Sequence, residues 1–128
     1  MAYVLADSDI LIDGLSGRED AVCRLKSERE KGLLRTSWIN RVEVLVGAST
    51  LSQQRIIEEF LDRIPILEFN FSAARHAART RRELLRDGKG MALPDCLIAG
   101  IALAHGAELL TRNLRHFQRV DGLRLTTL

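Results

Sequence analysis

Hydrophobic positions along the chain fall into helical and strand-like spacings, and the switches between them predict the elements. Residues 93–106 carry the strongest signal: Leu97, Ile98, Ile101, Ala102 and Ala104 cover most of a helix circumference. A helix that is apolar nearly all round is a buried one. Pro94 suits its first turn, where a missing N–H costs nothing, and Gly106 suits its stop. Leu109-Leu110-Thr111 then reads as a short strand that delivers Arg112 and Asn113 to its far end. Near the start of the chain, residues 3–6 are continuously apolar, as expected of a strand buried on both faces, and they run into Asp7-Ser8-Asp9.

Between these stretches the pattern predicts a short helix around Ile10 to Ile12, broken by Gly14 to Gly17, and a charged helix over 18–31 closed by Gly32. A second strand is expected at 33–36 and a helix over 38–48 capped by Ser37. Ile56, Ile57, Phe60, Leu61 and Ile64 share one face, so 53–64 is read as an amphipathic helix ended by Pro65. A third strand follows at 66–69, then a helix over 72–86 capped by Ser72 with Ala74, Ala77, Ala78, Leu84 and Leu85 turned inward. Residues 113–117 form a turn or short helix, and 123–126 a last strand. Strands alternating with helices imply an α/β fold with a parallel sheet covered on both sides. In such folds the ligand crevice lies beyond the carboxyl ends of the strands.

Composition narrows the class. At 128 residues, 46% apolar and 28% charged, the chain is expected to form one soluble domain, 1–128. No run approaches membrane-span length and no signal peptide is visible, so a cytoplasmic protein is expected. Cys23 and Cys96 show no metal-ligand spacing and suit a reducing compartment. Cys96 is read as a small core residue. None of His76, His105 and His116 pairs at zinc spacing.

The acidic residues are then sorted by the crevice rule. Asp7 follows the first strand, Asp95 sits in the first turn of the buried helix, and Thr111 and Asn113 end and follow the strand after it. Glu43 has Ile39, Val42 and Val46 at offsets −4, −1 and +3, which places it in the middle of an apolar face with no local basic partner. Each has an ordinary structural explanation by itself: a helix cap for Asp7, dipole complementation for Asp95, a turn for Asn113, a salt bridge for Glu43. Asp9 and Asp13 are read as solvent-facing or capping. Together the bland readings need several coincidences at one end of one sheet. Clustered carboxylates repel and their pKa values rise, and a divalent cation removes that penalty. Carboxylate, amide and hydroxyl oxygens are hard ligands, favouring Mg²⁺ or Mn²⁺ over Zn²⁺.

Four segments now carry a resemblance: 6–12 (ADSDILI), 37–47 (SWINRVEVLVG), 93–99 (LPDCLIA) and 110–117 (LTRNLRHF). In this order they resemble the successive motifs of the PIN-domain ribonucleases, most nearly the toxin half of VapBC toxin–antitoxin pairs. The resemblance implies a three-layer α/β/α sandwich with a central parallel sheet of four to five strands, and a Mg²⁺- or Mn²⁺-dependent endoribonuclease activity. It implies that Asp7, Glu43, Asp95 and Asn113 form the catalytic and metal-binding set, with Thr111 and Ser8 supporting. Asn113 and His116 stand where many members carry acids, which lowers the negative charge of the site. Rival readings are a metal phosphoesterase or DNA nuclease on the same scaffold, and a catalytically weak module that binds RNA or protein.

The basic residues add a surface. Arg75, Arg79, Arg82 and Arg86 recur at i, i+4, i+7 and i+11 on one helix, and Arg112 and Arg115 flank the acidic segment. Such a stripe suits phosphates, an acidic partner, or solvent alone. Aromatic residues are 5% of the chain, so base stacking is not evident. The resemblance further implies a cognate VapB-type antitoxin lying over the acidic crevice through an inserted Arg or Lys, and a homodimer. The helix over 53–64 has the apolar surface to line a groove or a dimer interface.

Overall fold

The computed structural model describes residues 1–128. Its elements are β1 (Val4–Ala6), α1 (Ser8–Leu15), α2 (Glu19–Glu30), β2 (Leu34–Arg35), α3 (Trp38–Leu45), α4 (Leu51–Leu61), α5 (Phe71–Arg86), α6 (Leu93–His105), β3 (Glu108–Leu110), α7 (Leu114–Phe117) and β4 (Leu125–Thr126). The sheet has four strands in the order β2-β1-β3-β4, all pairs parallel. Leu5 pairs with Leu109 and Ala6 with Leu110, so the two central strands end side by side.

The strand side chains divide the interior. Leu5 and Leu109 point into a core with α5, α6 and α7, built on Ala73, Leu84, Cys96, Ile98, Ile101 and Phe117. Val4, Ala6 and Leu110 point into a second core with α1 to α4, built on Ile10, Leu11, Leu25, Val44 and Leu61. The result is the three-layer α/β/α sandwich. The buried character of α6 is as expected: Cys96 and Ile98 through Ala102 are all buried. No helix is long and apolar enough to cross a membrane.

Four expectations are corrected. The strand at 66–69 shrinks to one parallel bridge between Thr36 and Ile66, because β2 is only two residues long and gives it little edge to pair with. Helix α4 starts at Leu51 rather than 53, since Thr50 caps it by accepting from the Gln53 N–H, and it ends at Leu61. Helix α5 starts at Phe71, capped by Asn70 rather than Ser72. Its buried face is Ala73, Ala77, Thr80 and Leu84, whereas Ala74, Ala78 and Leu85 are exposed. The buried stripe of α5 lies one residue before Ala74, Ala78 and Leu85; alanine suits core or surface alike, and of the adjacent Leu84 and Leu85 only Leu84 is buried.

Helix α5 packs antiparallel along α6. At the crossing Gly100 lies against Ala73 and Ala77, and toward the far end of α5 the Arg81 guanidinium donates to the Met91 carbonyl just before α6. This hairpin, together with the left-handed Gly106 that turns α6 into β3, sets the first turn of α6 beside the carboxyl ends of the strands.

Candidate active site

Asp7 continues β1 by donating its N–H to the Leu110 carbonyl at 2.8 Å, then caps α1 with its side chain. One carboxyl oxygen accepts from the Ser8 N–H at 2.8 Å and from the Asn40 amide at 3.4 Å; the other accepts from the Thr111 hydroxyl at 2.8 Å. Asp7 is buried, and burial first, then the neighbouring Asp9 and in lesser part Glu43, push its pKa from 3.8 up to about 6. The hydrogen bonds from Thr111 and Ser8 pull the other way and do not win. A carboxyl held above its ordinary range in a cleft is a mark of a functional site.

Glu43 reaches the same centre from α3. The Ser8 hydroxyl donates to one of its oxygens at 2.5 Å, and the protein places no basic group on it. Its surroundings differ from expectation. Val42 is 62% and Val46 78% exposed, and the buried side of α3 is Asn40 and Val44. Glu43 therefore stands half-buried at the border of the buried face, where a short turn of helix opens onto the crevice, rather than in the middle of an apolar stripe.

Two residues at the centre escaped the sequence reading. Asn40 is fully buried; the Ser37 hydroxyl donates to its carbonyl oxygen at 2.6 Å, which turns the amide N–H₂ toward the Ser8 hydroxyl at 3.0 Å and toward Asp7. Ser37, Asn40 and Val44 at i, i+3 and i+7 are the signal for that buried face. Asp9 is half-buried and not merely solvent-facing or capping. Its second oxygen accepts the Arg112 N–H at 3.0 Å, fastening the end of β3 to α1. The spacing Asp7-x-Asp9 at a helix start was the sign that both would face the strand ends.

The strand after α6 supplies the rest. Thr111 is fully buried, and its hydroxyl also accepts the Asn113 N–H at 3.0 Å. Asn113 itself is exposed at the start of α7 and makes no capping bond with its side chain. Asp95, in the first turn of α6, accepts from His116 Nε2 at 2.9 Å. The structure thus joins Asp7, Ser8, Glu43 and Thr111 in one hydrogen-bonded network and holds Asp95 to α7, with no direct bond between the two groups. No three acidic, imidazole or thiol side chains are gathered closely enough to form a ready-made ion cage. Arg112, expected to face phosphates, instead binds Asp13 at 2.5 Å and Asp20 at 3.0 Å. Its guanidinium beside Asp20 holds that carboxyl below the usual carboxylate range. Arg75, Arg79, Arg82, Arg86 and Arg115 are exposed and pair with no carboxylate.

A buried carboxylate, a hydroxyl-bound glutamate and an aspartate at a helix start, all at one edge of a parallel sheet, form a site of acidic oxygen donors. The family model of the PIN domain matches residues 4–123. The chain belongs to the PIN-domain family. Within it, the chain is 39% identical over 128 residues to Ribonuclease VapC2 of Haemophilus influenzae, covering 97% of this chain and 96% of that protein. It is 32% identical over 128 residues, with the same coverage, to the tRNA(fMet)-specific endonuclease VapC of Shigella flexneri. Among solved structures, the DNA-bound VapBC of Salmonella typhimurium superposes with a TM-score of 0.85 at 28% identity, covering 99% of this chain and 98% of that one. VapBC2 of Rickettsia felis, at 23% identity, shares the fold with a TM-score of 0.88 over 98% of both chains. The relatives that this PIN domain matches over nearly its whole length carry the name VapC, and in this chain Asp7 directly follows the central strand β1 while Asp95 opens the helix that leads into β3.

Proposed function

We propose that this PIN domain hydrolyses RNA phosphodiester bonds as the toxin of a type II toxin–antitoxin pair, using Mg²⁺ or Mn²⁺ bound at the carboxyl edge of the sheet. The observation that carries the reading is Asp7, buried with a pKa raised to about 6 by burial and by the charges of Asp9 and Glu43. The donor set fits a hard divalent cation: every candidate ligand offers oxygen, and excess negative charge is what a cation relieves. Asp7, Asp95 and the Asn113 amide would hold the ion, with Glu43 beside them. When bound, the ion lowers the pKa of an attacking water and offsets charge on the scissile phosphate.

The chain's own groups do the positioning. Ser8 and Thr111 fix the carboxyl planes of Glu43 and Asp7, and Asn40 fixes Ser8. Glu43, with one oxygen bound by Ser8, has its other oxygen free to orient the water. Arg75, Arg79, Arg82, Arg86 and Arg115 neutralise phosphates of the RNA; Arg112 serves the fold through Asp13 and Asp20. The cognate antitoxin is a VapB-type protein. A groove of about 390 Å³ lined by Ile12, Leu15, Val44, Ile56 and Ile57 lies between α1, α3 and α4 and suits an apolar antitoxin segment. The chain works as a homodimer, confined to the cytoplasm.

The test is cleavage of total cellular RNA by the purified protein with Mg²⁺, with Mn²⁺ and with chelator, beside Asp7→Asn and Asp95→Asn. Metal-dependent cutting that falls by about 10³-fold or more in each variant supports the reading; a loss of that size follows when an ion ligand that stabilises several kcal/mol of transition-state charge is removed. Undiminished cutting by either variant removes that residue from the site. Absence of any cutting by the unaltered protein, with RNA binding retained, moves the chain to a binding module.

A further inference from the structure

Around Asp95 the structure holds a second set of contacts that the cleavage chemistry does not require. His116 Nε2 lies 2.9 Å from Asp95 Oδ2, and on the opposite side of the ring Arg119 Nη2 lies 2.9 Å from His116 Nδ1. The same guanidinium donates through Nε to the His116 carbonyl at 2.9 Å and through Nη1 to the Lys89 carbonyl at 2.7 Å. All three nitrogens of Arg119 are engaged, so its plane is fixed. The His116 ring also meets Phe117 edge-on, with centroids 5.1 Å apart and planes at 80°.

An arginine has only donors. A nitrogen that faces a guanidinium N–H must therefore offer its lone pair, so Nδ1 of His116 carries no proton. The ring proton then sits on Nε2, aimed at Asp95. Arg119 thus sets the tautomer of His116, as a carboxylate or carbonyl sets that of a ligating histidine from the other side. One oxygen of Asp95 accepts a hydrogen bond from α7, and its Oδ1 receives no donor from the protein. The contact of Arg119 with Lys89 also grips the loop that leads into α6, so the loop, the first turn of α6 and α7 are fastened as one unit.

We propose that His116 and Arg119 are positioning residues: Arg119 locks His116 as the Nε2–H tautomer, and His116 aims the free oxygen of Asp95 into the crevice. The proposal rests on reading Asp95 as a carboxylate of the cleavage site. In this role His116 acts through Asp95, the carboxylate its Nε2 reaches. Replacing it with Gln keeps a donor near the place of Nε2, whereas Leu fills the space and donates nothing.

The test has two independent readouts. The first is the ¹⁵N spectrum of the histidine rings in ¹⁵N-histidine-labelled protein free of metal and RNA, with His76→Gln and His105→Gln to assign signals. His116 is expected to show a bare Nδ1 and a protonated Nε2, and Arg119→Met is expected to average the two tautomers. A protonated Nδ1 in the unaltered protein overturns the proposal. The second readout is RNA cleavage by His116→Leu and His116→Gln, each checked for native circular dichroism. Loss of an orienting partner of a metal-site carboxylate costs about 10–100-fold. His116→Leu is therefore expected to lose about that much in kcat with KM little changed, and His116→Gln to recover most of it. Equal rates for Leu, Gln and His overturn the positioning role. If the unaltered protein cuts no RNA at all, the proposed function fails, and the ring spectrum still supports or overturns the lock by the same criterion.

Discussion

The packing of α5 on α6 makes the sharpest stability prediction. Gly100 lies in the middle of α6, and a Cβ placed there would stand 2.5 Å from the Ala73 carbonyl oxygen, 2.9 Å from the Ala77 nitrogen and 2.9 Å from the Ala77 Cβ. Ordinary C···O contacts are about 3.3–3.6 Å, so α5 would have to retreat by roughly 1 Å. Two of the three obstructing atoms are backbone, and no rotamer change relieves them. Overpacking of this kind costs about 1–3 kcal/mol. Against it stands the gain of alanine over glycine in a helix interior, about 1 kcal/mol. Gly100→Ala is therefore expected to destabilise by about 1 kcal/mol net, and by about 2 if α5 yields little. For a chain of this size that lowers Tm by several degrees, between the roughly 4–8 °C per kcal/mol of smaller domains and the 2–4 °C of larger ones. Gly14→Ala is the control. Its Cβ would meet Leu25 Cδ1 at 2.5 Å, the end of a flexible side chain that can rotate away, with Phe60 at 3.8 Å. It gains the same helix propensity and is expected to stay within about 0.5–1 kcal/mol of the unaltered protein. Urea and thermal unfolding followed by circular dichroism decide it. A Gly100→Ala protein as stable as the original, or less affected than Gly14→Ala, would refute the close-packed hairpin and with it the account of how the start of α6 is positioned.

Asp7 predicts a pH-dependent cost. Its folded pKa of about 6 exceeds the ordinary 3.8, so between those values the folded state binds more protons than the unfolded one and stability falls as pH rises; above about 6 the penalty is complete. At 1.36 kcal/mol per pH unit the penalty is on the order of 2–3 kcal/mol. Asp7→Asn in chelator is expected to raise Tm at pH 8 and to lose that advantage at pH 4; an equal effect at both pH values would contradict the cause assigned to the shift. Asn40→Leu would leave the buried Ser37 hydroxyl without its acceptor and Ser8 without a donor. A loss of about 1–3 kcal/mol is expected from unsatisfied buried groups, measured by urea unfolding, together with slower RNA cleavage as Ser8 and Glu43 lose their fixed geometry. Unchanged stability would show that Asn40 is not the organiser of that network.

How much of this site was legible depended on whether a residue's job could be done by its neighbours in sequence. Asp7 and Thr111 were legible because each ends an apolar strand, and a parallel sheet forces strand ends to one edge. Asp95 was legible because a helix apolar all round must be buried, which leaves its first polar turn at a boundary. Glu43 was singled out for a reason the structure does not support. Val42 and Val46 are exposed, so the apolar stripe around it is a surface, and the residue is joined to the site by the hydrogen bond from Ser8. Asn40 and Asp9 were illegible for the opposite reason: their partners, Ser8 and the Arg112 N–H, are 32 and 103 residues away. The pairing of Arg112 was illegible because its carboxylates on α1 and α2 come together only after β3 docks beside β1. The strand at 66–69 failed because strand patterning reports side-chain burial, whereas pairing needs a long enough neighbour. The same division explains His116. As a sequence position it reads only as a place where an acid is missing, and in the fold it becomes a donor to Asp95 because Arg119, three residues on in the same short segment, occupies its other nitrogen. Replacing an acid by an imidazole N–H donor there turns a repulsive neighbour of Asp95 into an attractive one. The departure from the family pattern is therefore compatible with a working site, in which Asp95 is aimed by a hydrogen bond rather than crowded by a second carboxylate.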